Sequence, residues 1–191
     1  MGVPGELFDS LLLILVAPLA LLGPAAARLY WSKVACRFFT VVEGRLYRSG
    51  AMRPDRLARK VREHGIRAVI DLRSARPEVE REKAALAEIG VKHFHLPSKQ
   101  LPRPETVDAV LALLDQPENQ PALIHCNHGV RRAAQFEAIY RIEYQRWPNE
   151  RALSLLRWRS AFMGFRPGSR GTRFLRHYVP RRARPLAAAA S

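Results

Sequence analysis

The chain has 191 residues, enough for one domain of ordinary size with a short appendage and for a buried hydrophobic core. Its composition, 48% apolar and 26% charged, excludes an intrinsically disordered protein. Its two cysteines, Cys36 and Cys126, are too few for a disulfide scaffold or a cysteine-rich metal site.

The charge is basic and unevenly distributed. There are 32 Lys and Arg against 17 Asp and Glu, and residues 151–191 contain ten arginines and no acidic residue. This segment is either a solvated basic face or a surface attracted to anions such as lipid headgroups or a phosphate-bearing substrate. Nucleic acid is not an expected partner, because no zinc-knuckle spacing or aromatic platform accompanies the arginines.

An apolar segment, LFDSLLLILVAPLALLGPAAA, occupies residues 7–27. A signal peptide explains its length and the small residues at its end, but the basic start of a signal peptide is replaced by Glu6 and Asp9. A membrane anchor needs about 20 apolar residues, which Leu7–Tyr30 supplies. The sequence therefore favours an N-terminal transmembrane helix within residues 1–30, with a cleaved signal segment as the alternative.

Basic residues follow this segment at Arg28, Lys33 and Arg37. Since the cytoplasmic flanks of membrane spans carry an excess of Lys and Arg, we expect the rest of the chain to lie in the cytoplasm.

From Phe38 onward, short apolar runs alternate with helical patterns, which is typical of an α/β domain. The apolar runs predict strands at 38–42, 45–48, Arg67–Leu72, Val91–Leu96 and Ala122–His125. The intervening patterns predict helices at Arg53–His64, Pro77–Ile89, Pro104–Leu114, Arg131–Gln145 and from Asn149. We expect this domain to span residues 38–165 and residues 166–191 to form a basic, loosely structured tail that ends in alanines.

The stretch PALIHCNHGVRRAAQFEAIYRI, residues 121–142, leads from a predicted strand through a tight loop into a predicted helix. The backbone N–H groups of such a loop and the helix dipole form an anion site, which also favours the thiolate form of Cys126. Gly129 allows a backbone conformation that a side chain would resist. Arg132, six residues after the cysteine, can bind two phosphate oxygens at once.

A nucleophile, a ring of N–H donors and a guanidinium clamp around one tetrahedral anion predict hydrolysis of a phosphate monoester without metal or cofactor. The alternative is that His-Cys is a core pair at the end of a strand. The predicted substrate-binding residues are those of the loop: Asn127, His128, Gly129, Val130 and Arg131.

HCNHGVRRA resembles the HCxxGxxR[S/T] signature of the cysteine-dependent protein tyrosine and dual-specificity phosphatases. Further segments are similar to bacterial and plant members of the dual-specificity-like branch: EGRLYRSGAMRPDRL, HGIRAVIDLR, HFHLPSKQLPRPETVDAVLALL and YRIEYQRWPNERAL. The resemblance covers roughly residues 38–157 and implies an α/β fold with a central, mostly parallel sheet flanked by helices. It also implies that Cys126 forms a phosphocysteine intermediate, that Arg132 binds the phosphoryl oxygens and that His125 supports the cysteine from behind.

Two positions depart from the family's pattern. The Ser or Thr that usually follows the arginine, and helps the thiolate leave, is Ala133. The loop that usually carries an aspartate general acid reads LPSKQLPRPE and contains no Asp. Glu105 and Asp108 are the nearest candidates, although both also fit as acids placed near a helix N-terminus.

Lys99, Arg103, Arg131 and Arg48 are expected to make the mouth of the site basic, unless they serve only solubility. A basic mouth favours polyanionic substrates such as phosphoinositides or acidic phosphopeptides.

The sequence thus predicts a membrane-anchored phosphatase acting on a phosphorylated protein or another phosphate monoester, with anionic membrane lipid as a further partner. The main alternative is a pseudophosphatase that binds a phosphorylated protein or phosphoinositide without efficient turnover, suggested by Ala133 and the missing aspartate. A rhodanese-like sulfur transferase also uses a loop cysteine, but the position of Arg132 argues against it.

Overall fold

The chain divides into two units, Met1–Cys36 and Arg37–Ser191. The computed structural model describes residues 37–159 and 165–184 of the second unit, and Gly23 alone of the first. Apart from Gly23, the predicted anchor therefore lies outside the described residues, as does Cys36. Within the described part of the chain, no helix is long and apolar enough to cross a membrane.

Within the described residues there are five strands and six α-helices, and helices alternate with strands from the second strand to the helix after the fifth strand. The strands are β1 (Phe39–Val42), β2 (Leu46–Gly50), β3 (Ala68–Asp71), β4 (Lys92–His95) and β5 (Ala122–Cys126). The helices are α1 (Pro54–Glu63), α2 (Pro77–Ala87), α3 (Pro104–Asp115), α4 (Arg132–Tyr144), α5 (Asn149–Arg159) and α6 (Arg170–Arg176). The predicted strands and the five helices predicted between Arg53 and the segment after Asn149 are confirmed, with their ends shifted by a few residues at most. Proline at the first turn of α1, α2 and α3 explains why these three starts could be predicted well.

The strands form one sheet in the order β1-β2-β5-β3-β4. Only the pair β1–β2 is antiparallel among the described pairings, and β2–β5, β5–β3 and β3–β4 are parallel. The expected mostly parallel sheet is thus confirmed. Because β5 lies in the middle, the loop after it emerges at the carboxyl edge of the sheet, between the ends of β2 and β3, where α/β proteins bind ligands.

Helices cover both faces of the sheet, and the two faces differ in character. On one face, inward residues of β2, β3 and β5 such as Leu46, Ile70 and Ile124 form a hydrophobic core with α3, α4, α5 and α6. Because successive side chains of a strand point to opposite faces of the sheet, His125 and Asp71 lie on the other face. The helix packed there is α2, and its Glu82 reaches the His125 ring. Burial of the apolar core stabilises the domain. The other face also buries apolar residues such as Val69 and Leu123, beside the charged groups around His125.

The expectation of loose structure beyond residue 165 is wrong for residues 170–184. Leu175 and Tyr178 are buried in the hydrophobic core, and Tyr178 Oη donates to Glu143 Oε1 at 2.6 Å. Arg181 and Arg184 bind Asp115 and Asp108 on α3 at 2.6 and 2.7 Å. The arginine count suggested a solvated tail because sequence composition does not show that the acidic partners lie on another helix.

Candidate active site

Cys126 is the last residue of β5, and α4 begins six residues later at Arg132. The predicted strand-loop-helix arrangement is therefore present. The cysteine is 2% exposed, and its Sγ accepts a hydrogen bond from the Gly129 N–H at 3.3 Å. The N-terminus of α4 favours an anion bound beside this sulfur.

Gly129 has a φ of +68°, in the left-handed region that residues with a side chain rarely adopt. A Cβ atom here would lie 2.6 Å from the Gly50 nitrogen and 2.7 Å from the Ser49 carbonyl carbon. Both obstacles are backbone atoms of β2, which cannot move aside as a flexible side chain could. Glycine at this position is required by backbone conformation and by space.

Arg132 is partly buried at the start of α4, and its Nη1 donates to Leu72 O at 2.6 Å and Ser98 O at 3.3 Å. These two carbonyls fix one edge of the guanidinium against the end of β3 and the loop LPSKQLPRPE. The planar group is thereby oriented before any anion binds.

The remaining loop residues contribute mainly backbone groups in this structure. Asn127 O accepts a hydrogen bond from Ala51 N at 3.1 Å, and His128 O accepts one from Arg37 Nη1 at 3.0 Å. Val130 is partly buried, whereas the side chains of His128 and Arg131 are exposed. Both carbonyl oxygens are thus bonded within the protein, and the role of this loop as a cradle of backbone N–H donors stays a prediction.

His125 belongs to a buried charged cluster that was not predicted from the sequence. Its Nε2 lies 2.8 Å from Glu82 Oε1 and 3.8 Å from Asp71 Oδ1. Arg73 Nη2 lies 2.7 Å from both Glu82 Oε2 and Asp71 Oδ2, and His93 Nε2 lies 3.4 Å from Glu82 Oε1. The cluster holds the residue before Cys126 in place through charged contacts. The pattern VIDLR could have pointed to Asp71 and Arg73, but nothing in the sequence singles out Glu82.

Asp71, Glu82 and His125 each offer a ligand atom within 4.8 Å of one another, as a metal site would require. Here Arg73 already fills the position of the cation, because it bonds both oxygens of Asp71 and one oxygen of Glu82. The donor set therefore fits an internal ion-pair network better than a metal site.

The pKa of Glu82 reflects two opposing effects. Burial raises it, but contacts with His125 and His93 and the charges of His125 and Arg73 outweigh burial and lower it from 4.5 to about 2. The ionised carboxylate is therefore the form that the folded protein prefers, and it must be protonated when the chain unfolds in acid.

Acid is expected to destabilise the wild type through Glu82 by on the order of 3 kcal/mol. Since the folded pKa is the lower one, this stability is present above about pH 4.5 and is lost as the pH falls towards 2. Urea unfolding of the wild type and Glu82→Gln between pH 6 and 2 measures the effect. Glu82→Gln should be less stable at pH 6 and show a shallower acid dependence, and equal slopes would contradict this origin of the acid sensitivity.

Arg48 was predicted to lie at the mouth of the site, and this prediction is wrong. Its side chain is 1% exposed and lies beneath the loop. Its Nη1 donates to Gly129 O, and its Nε lies 2.8 Å from Glu137 Oε2 on α4. The partner that stabilises this buried arginine is a carboxylate in the second turn of a helix about 90 residues further along the chain, which the local sequence could not indicate.

The candidate general acids lie on α3. Glu105 is exposed in the first turn of the helix, and Asp108 is bound by Arg184 Nη1 at 2.7 Å. Lys99 and Arg103 are exposed on the preceding loop. That loop reaches Arg132 through Ser98 O, so its basic residues lie on the segment that borders the candidate site.

A cavity of about 500 Å³ opens beside Asn127, between the loop after β2 and the start of α2. Part of its lining is apolar, from Ala51, Met52, Pro54 and Val79. The charged lining is mainly basic and comprises Arg53, Arg73, Arg76 and Arg81 with Glu78 and Glu82. Arg73 is paired with Asp71 and Glu82, and Arg53 Nε lies 3.5 Å from Asp55 Oδ1, so Arg76 and Arg81 contribute most of the positive potential of the lining, beside Glu78.

Comparison with protein families gives one match that covers about two thirds of the chain. The family described as "DSP-PTPase phosphatase fused to NAD+ Kinase" matches residues 40–163. A comparison with curated protein sequences gives no match.

Solved structures of phosphatases share the fold. They include the core catalytic domain of the PP-IP phosphatase SIW14 from S. cerevisiae in complex with citrate, which is 22% identical with a TM-score of 0.62 over 74% of this chain and 85% of that one. A TpbA variant from P. aeruginosa in complex with pTyr is 22% identical, with a TM-score of 0.56 over 74% and 89% of the two chains. The PTP-2 phosphatase of Cydia pomonella is 19% identical, with a TM-score of 0.60 over 73% and 88%.

Proposed function

This chain belongs to the DSP-PTPase family of cysteine-dependent phosphatases, and we propose that it hydrolyses phosphate monoesters through a phosphocysteine formed on Cys126. The observation that carries the proposal is the loop from Cys126 to Arg132. It joins a buried sulfur, a backbone donor 3.3 Å from it and an oriented guanidinium at the start of a helix. Together these groups supply a nucleophile and stabilise charge on the transferring phosphoryl group.

In the first step, the Cys126 thiolate attacks phosphorus, the S–P bond forms, and the bond from phosphorus to the ester oxygen breaks. The departing oxygen needs a proton. In the family this proton usually comes from an aspartate on the loop that here reads LPSKQLPRPE and contains no Asp. Glu105 is exposed on α3 and Asp108 is paired with Arg184, so we expect only weak proton donation from these two carboxyl groups. We infer that aryl phosphates such as phosphotyrosine, whose oxygen leaves more easily, react faster than alkyl phosphates.

In the second step, water attacks phosphorus, inorganic phosphate is released and the Cys126 thiolate departs. A hydroxyl after Arg132 would donate a hydrogen bond to that leaving sulfur, but Ala133 is fully buried and has no donor. Losing a hydrogen bond to a charged group costs roughly 1.5–3 kcal/mol, or about ten- to a hundredfold in rate. The phosphocysteine should therefore accumulate, giving a burst of product followed by slow turnover.

Ala133→Ser is expected to raise the steady-state rate about ten- to a hundredfold with p-nitrophenyl phosphate and to leave the burst rate nearly unchanged. The serine hydroxyl would act only when the thiolate departs. Stopped-flow absorbance separates the two phases. Ala134→Ser, which adds a hydroxyl at the next buried position of α4, is the matched control and should not accelerate turnover. An unchanged steady state in Ala133→Ser would show that dephosphorylation is not limiting.

We further propose that the substrate carries negative charge in addition to that of the phosphate group that is removed. The support is the exposed Lys99 and Arg103 on the loop beside Arg132, and the arginine-lined cavity beside Asn127. Among proteins of this fold, one is a PP-IP phosphatase and another is in complex with pTyr. Phosphotyrosine peptides with acidic flanks and with neutral flanks test this proposal. If the mouth of the site is basic, the acidic peptide should have the lower KM, and its KM should rise with salt.

The test of the catalytic proposal compares the wild type with Cys126→Ser in the purified domain. The wild type should release p-nitrophenol, and Cys126→Ser should not, while both bind tungstate, a phosphate analogue that needs no covalent step. Calorimetry gives the tungstate affinity independently of turnover. Equal rates for the two proteins would refute the phosphocysteine mechanism.

A pseudophosphatase is the second candidate, and Ala133 together with the loop that lacks Asp favours it. The same experiment separates the two functions. Tungstate binding without turnover above that of Cys126→Ser supports a binding protein for phosphorylated groups, whereas any burst of p-nitrophenol equal to the enzyme concentration supports the enzyme.

We propose a single-pass membrane location with the domain in the cytoplasm, on the strength of the apolar residues 7–27 and the basic residues after them. A protease added to intact spheroplasts should leave a C-terminal tag on the full chain uncut. Digestion of the tag from outside would contradict the cytoplasmic location, and recovery of the chain in the soluble fraction would contradict the anchor.

A further inference from the structure

Strand β2 supports the loop after Cys126 at three successive points. Ala51 N, just beyond the strand, donates to Asn127 O at 3.1 Å. The backbone of Ser49 and Gly50 lies against the α-carbon of Gly129 closely enough to exclude any Cβ there. The third point is the side chain of Arg48, which donates from Nη1 to Gly129 O.

Arg48 is held by several groups at once. It is 1% exposed, its Nε lies 2.8 Å from Glu137 Oε2, and its guanidinium lies over the Phe39 ring at 4.4 Å. Glu137 compensates the charge of Arg48, so the buried cation is tolerated. Because β1, α4 and the loop all meet at this guanidinium, its position relative to Gly129 is fixed.

The orientation of one peptide follows from this contact. In a trans peptide, the carbonyl of Gly129 and the N–H of Val130 point in opposite directions. A carbonyl directed at the buried Arg48 guanidinium therefore turns the Val130 N–H to the opposite side of the peptide. A cation on the carbonyl also polarises the peptide and strengthens its N–H as a donor.

We propose that Arg48 is a positioning residue, which acts through the Gly129–Val130 peptide to aim the Val130 N–H at the bound phosphoryl group. This inference rests on the proposed function only in that the loop binds a phosphoryl group. Arg48 itself touches neither substrate nor Cys126 in this role. Its partner Glu137 keeps it in place.

The experiment replaces the pair with apolar residues in the double variant Arg48→Met/Glu137→Leu, in which the buried Arg141 keeps its hydrogen bonds to Val41 O and Gln145 Oε1. Such replacements commonly preserve the fold. The thermal midpoint is expected to stay near that of the wild type, whereas the tungstate Kd should rise about ten- to a hundredfold, as expected for loss of a hydrogen bond from a charged group. The burst rate with p-nitrophenyl phosphate should fall in proportion.

Arg141→Met is the matched control. Arg141 also contacts Glu137, at 3.4 Å, and donates to Val41 O, so its loss perturbs the same ion-pair network. It should alter stability but leave the tungstate Kd within about twofold of the wild-type value, since the Arg48 contact with Gly129 O remains.

Wild-type tungstate affinity in a folded double variant would overturn the inference and leave the proposed function intact. Failure of the wild type to bind tungstate would overturn both. If the double variant does not fold, Arg48→Lys decides: one ammonium group cannot reproduce the guanidinium fork between Glu137 and Gly129 O, so its tungstate Kd should still rise. An unchanged Kd in Arg48→Lys would then overturn the inference.

Discussion

Arg132→Ala is expected to abolish the burst of p-nitrophenol that the wild type gives with p-nitrophenyl phosphate. The guanidinium would bind two phosphoryl oxygens and neutralise charge that develops in the first step, so its loss should slow the burst about a thousandfold. Its Nη1 is fixed by Leu72 O and Ser98 O, which means that the lost group is already oriented. Rapid mixing at saturating substrate measures the burst rate directly.

The control for this prediction is Arg132→Lys, which keeps the charge without the planar fork. We expect its burst rate to lie between those of the wild type and Arg132→Ala. Thermal unfolding of both variants checks that the contacts to Leu72 O and Ser98 O are not needed for folding. A burst in folded Arg132→Ala within tenfold of the wild-type rate would exclude Arg132 as the phosphoryl clamp.

Gly129→Ala is expected to lower tungstate affinity by more than a hundredfold. The added methyl group would sit 2.6 Å from the Gly50 nitrogen, and a β-carbon at a φ of +68° adds roughly 1–2 kcal/mol of strain. Since β2 cannot retreat without breaking its pairing with β5, the loop must move instead. Moving it displaces the N–H groups that bind the anion and the contact between Gly129 N and Cys126 Sγ.

Gly65→Ala separates the two causes. Gly65 has a similar φ of +61°, but a Cβ there meets nothing within 4 Å. This variant should lose only the roughly 1–2 kcal/mol of backbone strain and keep the wild-type tungstate affinity. Calorimetry and urea unfolding on both variants give the comparison, and equal affinity losses would mean that close contact with β2 is unimportant.

The sequence predicted the strands, most helices and the loop that carries Cys126 because these depend on local patterns. Alternating apolar runs mark the strands, and prolines mark three helix starts. The spacing of Cys126, Gly129 and Arg132 is a property of seven consecutive residues. The arrangement of these three residues follows wherever a strand leads through such a loop into a helix. It could therefore be predicted without knowing the rest of the fold.

The wrong expectations concern charged residues. Arg48 was expected at the surface and is buried against Glu137, and the basic segment 170–184 is docked through Arg181 and Arg184 instead of being loose. In sequence, an arginine that will be exposed and one that will be buried look alike. Which it becomes depends on whether a carboxylate from a distant segment reaches it, because an unpaired buried charge is too costly to persist.

By itself, the sequence determined the chemistry at the end of β5: a cysteine, a glycine that can take positive φ and an arginine clamp on one short loop. Only the tertiary structure decided what supports that loop. The order β1-β2-β5-β3-β4 places β5 between β2 and β3, so that Arg48 from one neighbour and Asp71 from the other meet residues about 80 and 50 positions further along the chain. The physical reason is that hydrogen-bonded neighbours in a parallel sheet come from segments separated by whole crossover connections, so their side chains approach one another only after the chain has folded.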